Sequence, residues 1–156
     1  MEVAGLYDVD VIVFEHLDRK GKKRGSKKQK LHLWRSQYVQ SIVEHKAHRL
    51  GMRISRICAW GTSRLAYDGS GIVLRGKDAG FTCYSLCQFP NGKVYNCDLS
   101  ASYNIGSRYF VREIIKSLPM RERLALEAKV PEVAKRSTCT LSTLINLNAE
   151  IMSFVA

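Results

Sequence analysis

No apolar run in this chain approaches the ~20 residues that a membrane-spanning helix needs. No hydrophobic leader of the secretory kind is expected either, since Glu2, Asp8 and Asp10 interrupt the opening stretch. The expectation is a cytosolic protein with no membrane partner. There is no collagen-like period or low-complexity tract, and 46% hydrophobic with 25% charged residues is ordinary globular composition. Five cysteines, at 58, 83, 87, 97 and 139, are an odd number and are expected as reduced thiols. Cys83 and Cys87 enclose three residues, and no second closely spaced pair precedes them, so the tetrahedron of a four-thiolate site is not completed and zinc is not expected. Acidic residues are scarce: 14 Asp and Glu stand against 25 Lys and Arg, for a net charge of +11. That imbalance points to a polyanionic partner, of which nucleic acid is the commonest.

The excess has an address. Arg19, Lys20, Lys22, Lys23, Arg24, Lys27, Lys28 and Lys30 fall within twelve residues that contain no acid, and the rest of the chain carries only +3. Gly21, Gly25 and Ser26 punctuate the run, so it reads as a mobile loop. It serves either as a solvated linker or as an arm that contacts phosphates.

The 156 residues allow one domain with a small appendage. Asp10 to Glu15 (DVIVFE) is a β-branched and aromatic run that reads as a buried strand ending in a carboxylate. In α/β proteins strand ends gather ligands and catalytic groups, which makes Glu15 a candidate, the alternative being a solvated strand-end acid. Leu31 to Leu50 spaces Trp34, Tyr38 and Ile42, with Val39, Val43, Ala47 and Leu50, as the apolar face of a helix that Gly51 stops. His45 and His48 on it read as polar helix surface rather than metal ligands. Met52 to Ala59 then reads as a second strand, and strand–helix–strand predicts a parallel pair.

Gly61 to Asn96 carries six glycines, with β-prone pieces at Ile72 to Leu74, Phe81 to Tyr84 and Lys93 to Tyr95, and reads as a turn-rich β insertion. From Asp98 to Pro119 the helical period returns. Asp98 at its start is accounted for by an N-cap or first-turn role unless something else claims it. Arg121 to Lys129 and Ser137 to Val155 complete a helical tail. The expected divisions are therefore 1–60, 61–96, 97–118 and 119–156.

Three segments together resemble the C-terminal part of the transposon-encoded TnpB (OrfB) family, the RuvC-like nucleases related to type V CRISPR effectors. Tyr7 to Leu17 (YDVDVIVFEHL) is similar to the family's second RuvC motif, a hydrophobic strand ending in Glu-x-Leu. Asp98 to Ile105 (DLSASYNI) is similar to its third, Asp-x-Asn-Ala-Ala-x-Asn-Ile, with Ser at two of the small or polar positions. Between them, a helix, a strand and Thr62-Ser63 keep the family's order.

The resemblance implies a partial ribonuclease-H-like (RuvC) α/β core with a degenerate zinc ribbon inserted and a helical tail. It implies Glu15 and Asp98 as catalytic carboxylates that hold Mg²⁺ or Mn²⁺ for phosphodiester hydrolysis, Asn104 in a supporting polar role, and DNA and a guide RNA as partners in a cytoplasmic, nucleoid-associated setting. Two departures follow from the same comparison. Ala66 and Gly69 stand where the ribbon's first thiols would fall, and no residue matches the family's first catalytic Asp, so an N-terminal part would have to supply that strand and its carboxylate. The alternatives are a catalytically inactive nucleic-acid-binding remnant or a structural partner of another chain.

Overall fold

The computed structural model describes residues 2–17 and 27–155, an α/β chain with two small sheets. It divides into two compact units, Met1–Ile57 and Cys58–Ala156. Among the described residues no helix is long and apolar enough to cross a membrane.

In the first unit a short helix α1 (Glu2–Leu6), which the sequence does not announce, leads into β1 (Val11–His16). Asp8, at φ 47, makes the turn between them, and this starts β1 later than the apolar run suggests. Helix α2 (Lys27–Arg49) follows and then β2 (Arg53–Cys58), which is β1's neighbour in a two-stranded sheet. The Arg53 N–H donates to Asp10 O at 2.8 Å, joining the beginnings of both strands, as parallel neighbours require.

Gly51 stops α2 as its sequence position predicts. At φ 74 it donates to His48 O, and Met52 N–H reaches back to Ala47 O at 2.9 Å, the paired bonds of a Schellman cap. The side of α2 turned to the sheet differs from the expected stripe. Ala47 is fully buried, whereas Trp34, Tyr38, Ile42 and Leu50 are exposed. The reason is polar. Gln37 Nε2 donates to Leu17 O at 2.9 Å and Gln40 Nε2 to Glu15 O at 3.1 Å, so side-chain amides occupy the helix face that meets β1's carbonyls. Glu44 accepts from Arg56 of β2 at 2.6 Å on the same side.

In the second unit the insertion forms a three-stranded antiparallel sheet, β3 (Leu74–Arg75), β4 (Leu86–Gln88) and β5 (Val94–Asn96), in that order. The middle strand is Leu86–Gln88 and not Phe81 to Tyr84. After β3 the chain makes a 3-10 turn, Gly76–Ala79, and Phe81 N–H bonds back to Gly76 O at 2.8 Å, so residues 81 to 84 are consumed in the return. Gly76 at φ 54 lies under the Tyr84 ring, where an added Cβ would sit 2.7 Å from a ring carbon. The register Cys87↔Tyr95 places Cys87 and Phe89 inward, with Ala66, Val73 and Cys97, as a small core.

Helix α3 (Cys97–Ser117) leaves this sheet directly, and Pro119 separates it from α4 (Met120–Lys129). A 3-10 turn, Pro131–Ala134, precedes α5 (Leu141–Val155). The last helix begins later than expected because Thr140 N–H bonds to Thr143 Oγ1 at 3.2 Å, fixing the entry turn there. Val111, Ile115, Leu126, Val130, Val133, Cys139 and Leu147 form the helical core, so the tail packs on α3.

Candidate carboxylate and nucleic-acid sites

Glu15 is the penultimate residue of β1, half-buried, with its main-chain oxygen held by Gln40. It belongs to the first unit and Asp98 to the second. Asp98 lies in the first turn of α3, but the cap is Asn96, whose Oδ1 accepts from Asp98 N–H at 2.9 Å and Leu99 N–H at 3.0 Å. That division of labour matters. With the amides satisfied by Asn96, the exposed Asp98 carboxylate is released from capping, and it makes no hydrogen bond or ion pair among the described residues. The α3 dipole favours negative charge at this position.

Asn104 lies two turns further on and is fully buried. Its Nδ2 donates to Thr62 O at 2.9 Å and to Leu65 O at 2.8 Å, fastening the turn that follows Ala59 to α3. Its Oδ1 is buried without a partner, as is the Ser100 Oγ one turn earlier. In the second unit Asn104 completes backbone hydrogen bonds of the Thr62-to-Leu65 turn.

Arg108, not singled out in the sequence, continues the same face one turn later and is 3% exposed. Nη1 donates to Cys58 O and Trp60 O, each at 2.7 Å, Nε to Cys139 O at 3.1 Å, and Nη2 to Ser137 O. A planar fork with five donors suits four scattered carbonyls as no ammonium can. The available signal was spacing: Ser100, Asn104 and Arg108 recur every four residues on a helix whose next buried positions, Val111 and Ile115, are apolar.

Next to α3's first turns lies an aromatic cluster. Tyr67 packs against Phe89, Tyr95 and Tyr103 with ring centroids 5.6, 5.2 and 5.2 Å away. Lys93 Nζ lies 4.8 Å from the Tyr67 centroid and 4.9 Å from that of Tyr95, and it donates to the Tyr67 hydroxyl at 2.6 Å. That bond holds the ammonium's pKa above its ordinary value. The cluster packs the three-stranded sheet against α3 and leaves Lys93 at the surface.

The thiols sort by environment. Cys83 is exposed, and contact with the Ser85 hydroxyl at 3.2 Å, with nearby amides, lowers its pKa. Burial, with Cys97 alongside, pushes the Cys87 thiol up to about 12, and burial pushes Cys139 up to about 11. Among the described residues no group of three or more His, Cys, Asp or Glu is placed to hold a metal ion. His45 and His48 are exposed on α2.

Of the basic run, Lys27, Lys28 and Lys30 fall in the first turns of α2 rather than in a loop. Arg19, Lys20, Lys22, Lys23 and Arg24 lie outside the described residues. No protein-family model matches this chain, and no curated protein or solved structure matches it.

Proposed function

We propose that this chain is the C-terminal, nucleic-acid-handling part of a transposon-associated, RNA-guided DNA endonuclease with a ribonuclease-H-like (RuvC) core, in which Glu15 and Asp98 are the metal-ligating carboxylates. The observation that carries the reading is the Asn96 cap, which leaves an exposed carboxylate at Asp98, in the third motif of the resemblance, with no capping bond to make and only its place at the positive end of α3 as a structural role. The parallel strand–helix–strand unit bearing Glu15, and a net charge of +11, support the same class.

The donor set fits a hard cation, since both candidates offer carboxylate oxygen and neither is a thiol or imidazole. Mg²⁺ or Mn²⁺ held there supplies an activated water and charge stabilisation at the phosphodiester. This chain's own contribution is otherwise positional: Asn104 and Arg108 hold α3 against the 58–65 segment and so fix the helix from which Asp98 projects, while the basic residues hold the phosphate backbone.

Only two carboxylates match the motifs, and this favours a second reading, that the chain binds nucleic acid without cleaving it. Misplaced metal is poorly tolerated in phosphoryl chemistry. Labelled DNA incubated with the purified chain and Mg²⁺ or Mn²⁺ tests the carboxylate assignment. Little or no cleavage is expected of this chain alone. Cleavage that disappears in Asp98→Ala would show that two carboxylates suffice, cleavage that survives it would remove Asp98 from the site, and failure to bind any nucleic acid would refute both readings.

A further inference from the structure

The outer face of α2 carries aromatic rings and basic side chains together. Trp34, Tyr38 and Ile42 follow one another at four-residue steps, His45 and Arg49 continue that face, and Arg35 and Lys46 flank it. All seven side chains are exposed. The Trp34 and Tyr38 rings are each 56% exposed, yet they stack on each other with centroids 5.7 Å apart and planes 8° from parallel. The only acid of the helix, Glu44, is engaged by Arg56 of β2 at 2.6 Å and so belongs to the opposite side. The face therefore combines flat aromatic surface with positive charge and no acid.

We propose that this face binds single-stranded nucleic acid, an unpaired base extending the Trp34–Tyr38 stack while Arg35, Lys46 and Arg49 contact the phosphates beside it. The proposal shares with the proposed function only the premise that nucleic acid is bound, and it needs neither carboxylate nor metal. Aromatic rings on a convex helix meet the face of a base only where that base is unstacked, and in a duplex only edges are presented, so a single strand is specified. The two rings are already in contact with each other, which places the base at an outer ring face and not between them. From Trp34 to Arg49 the platform runs roughly 20 Å along the helix axis, room for a few nucleotides. Val39 and Leu50 are exposed on and just beyond this helix as well, but four exposed basic or imidazole side chains and no carboxylate surround the rings, which favours a polyanion over an apolar protein partner.

The test uses Trp34 as its own reporter. The full chain has two tryptophans, and Trp60→Phe leaves Trp34 alone. Titration with oligothymidylate and with oligouridylate of about 15 nucleotides, within the usual range of such sites, should quench Trp34 saturably, and the two arms show which sugar is preferred. A duplex of the same length should not quench it. Trp34→Ala and Tyr38→Ala should each weaken single-strand affinity about tenfold. The salt slope should stay unchanged, because stacking releases no counterions. Trp34→Phe should restore most of the loss. The proposal is overturned by absence of quenching, by unchanged affinity in Trp34→Ala, or by an equal loss on duplex. Conversion of an oligomer to a monomer by Trp34→Ala, with nucleic-acid affinity intact, would also overturn it and assign the face to a second copy. If the chain binds no nucleic acid at all, the proposed function fails as well; if it binds but Trp34→Ala is silent, only this inference fails.

Discussion

Replacing Asn104 with Ala tests what α3 does for the fold. The substitution deletes two donors from the interior and leaves Thr62 O and Leu65 O without them. A buried acceptor stripped of its partner costs about 1–3 kcal/mol, so the two together cost about 2–6 kcal/mol. Part of this is returned, because the variant also deletes Oδ1, which is buried unpartnered and whose desolvation costs about 1–3 kcal/mol. The net is about 2 kcal/mol. For a chain of this size that is a fall in Tm of about 4–8 °C, measurable by calorimetry or by circular dichroism. Asn104→Asp sharpens the test through pH. A carboxylate facing two carbonyls would have its folded pKa raised above the unfolded value of about 3.9. The variant should therefore be closest to wild type at low pH and lose stability as pH rises through that raised value. A Tm within 2 °C of wild type for Asn104→Ala, by the same scale, or a pH-independent deficit in Asn104→Asp, would refute the reasoning.

Three further outcomes follow from the same physics. Arg108→Lys should destabilise by about 3 kcal/mol in urea unfolding, since an ammonium cannot serve four dispersed carbonyls and each charge-assisted bond lost is worth about 1.5–3 kcal/mol; a variant as stable as wild type would contradict the fork geometry. Changing Lys22, Lys23, Lys27 and Lys28 to Gln should reduce the log–log salt slope of duplex binding by up to about 3.6, at about 0.9 per phosphate contact, and an unchanged slope would exclude these residues as contacts. In thiol labelling at mildly alkaline pH, Cys83 should react first and Cys87 and Cys139 last. Because the folded pKa values of those two are raised, their stabilisation is present below the unfolded value of about 8.5 and is lost as pH rises toward about 12 for Cys87; stability that increases over that window would contradict their burial.

Much of the architecture was legible because its signals are local. Gly51 stops α2, the Val-rich run forms β1, Pro119 divides the helices, and glycines mark the ribbon's turns, each through backbone chemistry within a few residues. What escaped was decided by contacts distant in sequence. The apolar stripe of α2 faces outward because Gln37 and Gln40 are claimed by the carbonyls of Leu17, just past β1, and of Glu15 within it, twenty and twenty-five residues away. The middle ribbon strand moved to Leu86–Gln88 because Phe81 is tied back to Gly76. Helix α1, at five residues, is too short for propensity to reveal it. For the candidate site, Asp98 and Asn104 could be marked by motif, but the Asn96 cap that frees one and the carbonyls that occupy the other required the folded chain. Arg108 had only its four-residue spacing to announce it.

If Glu15 and Asp98 are metal ligands as proposed, Mn²⁺ affinity measured by paramagnetic resonance in a double-mutant cycle reveals it. The expected result is weak Mn²⁺ binding by the wild-type chain, a clear loss in either Glu15→Gln or Asp98→Asn, and no further loss in the double variant. Mn²⁺ affinity indifferent to either substitution, or single-variant losses that add in full, would contradict it.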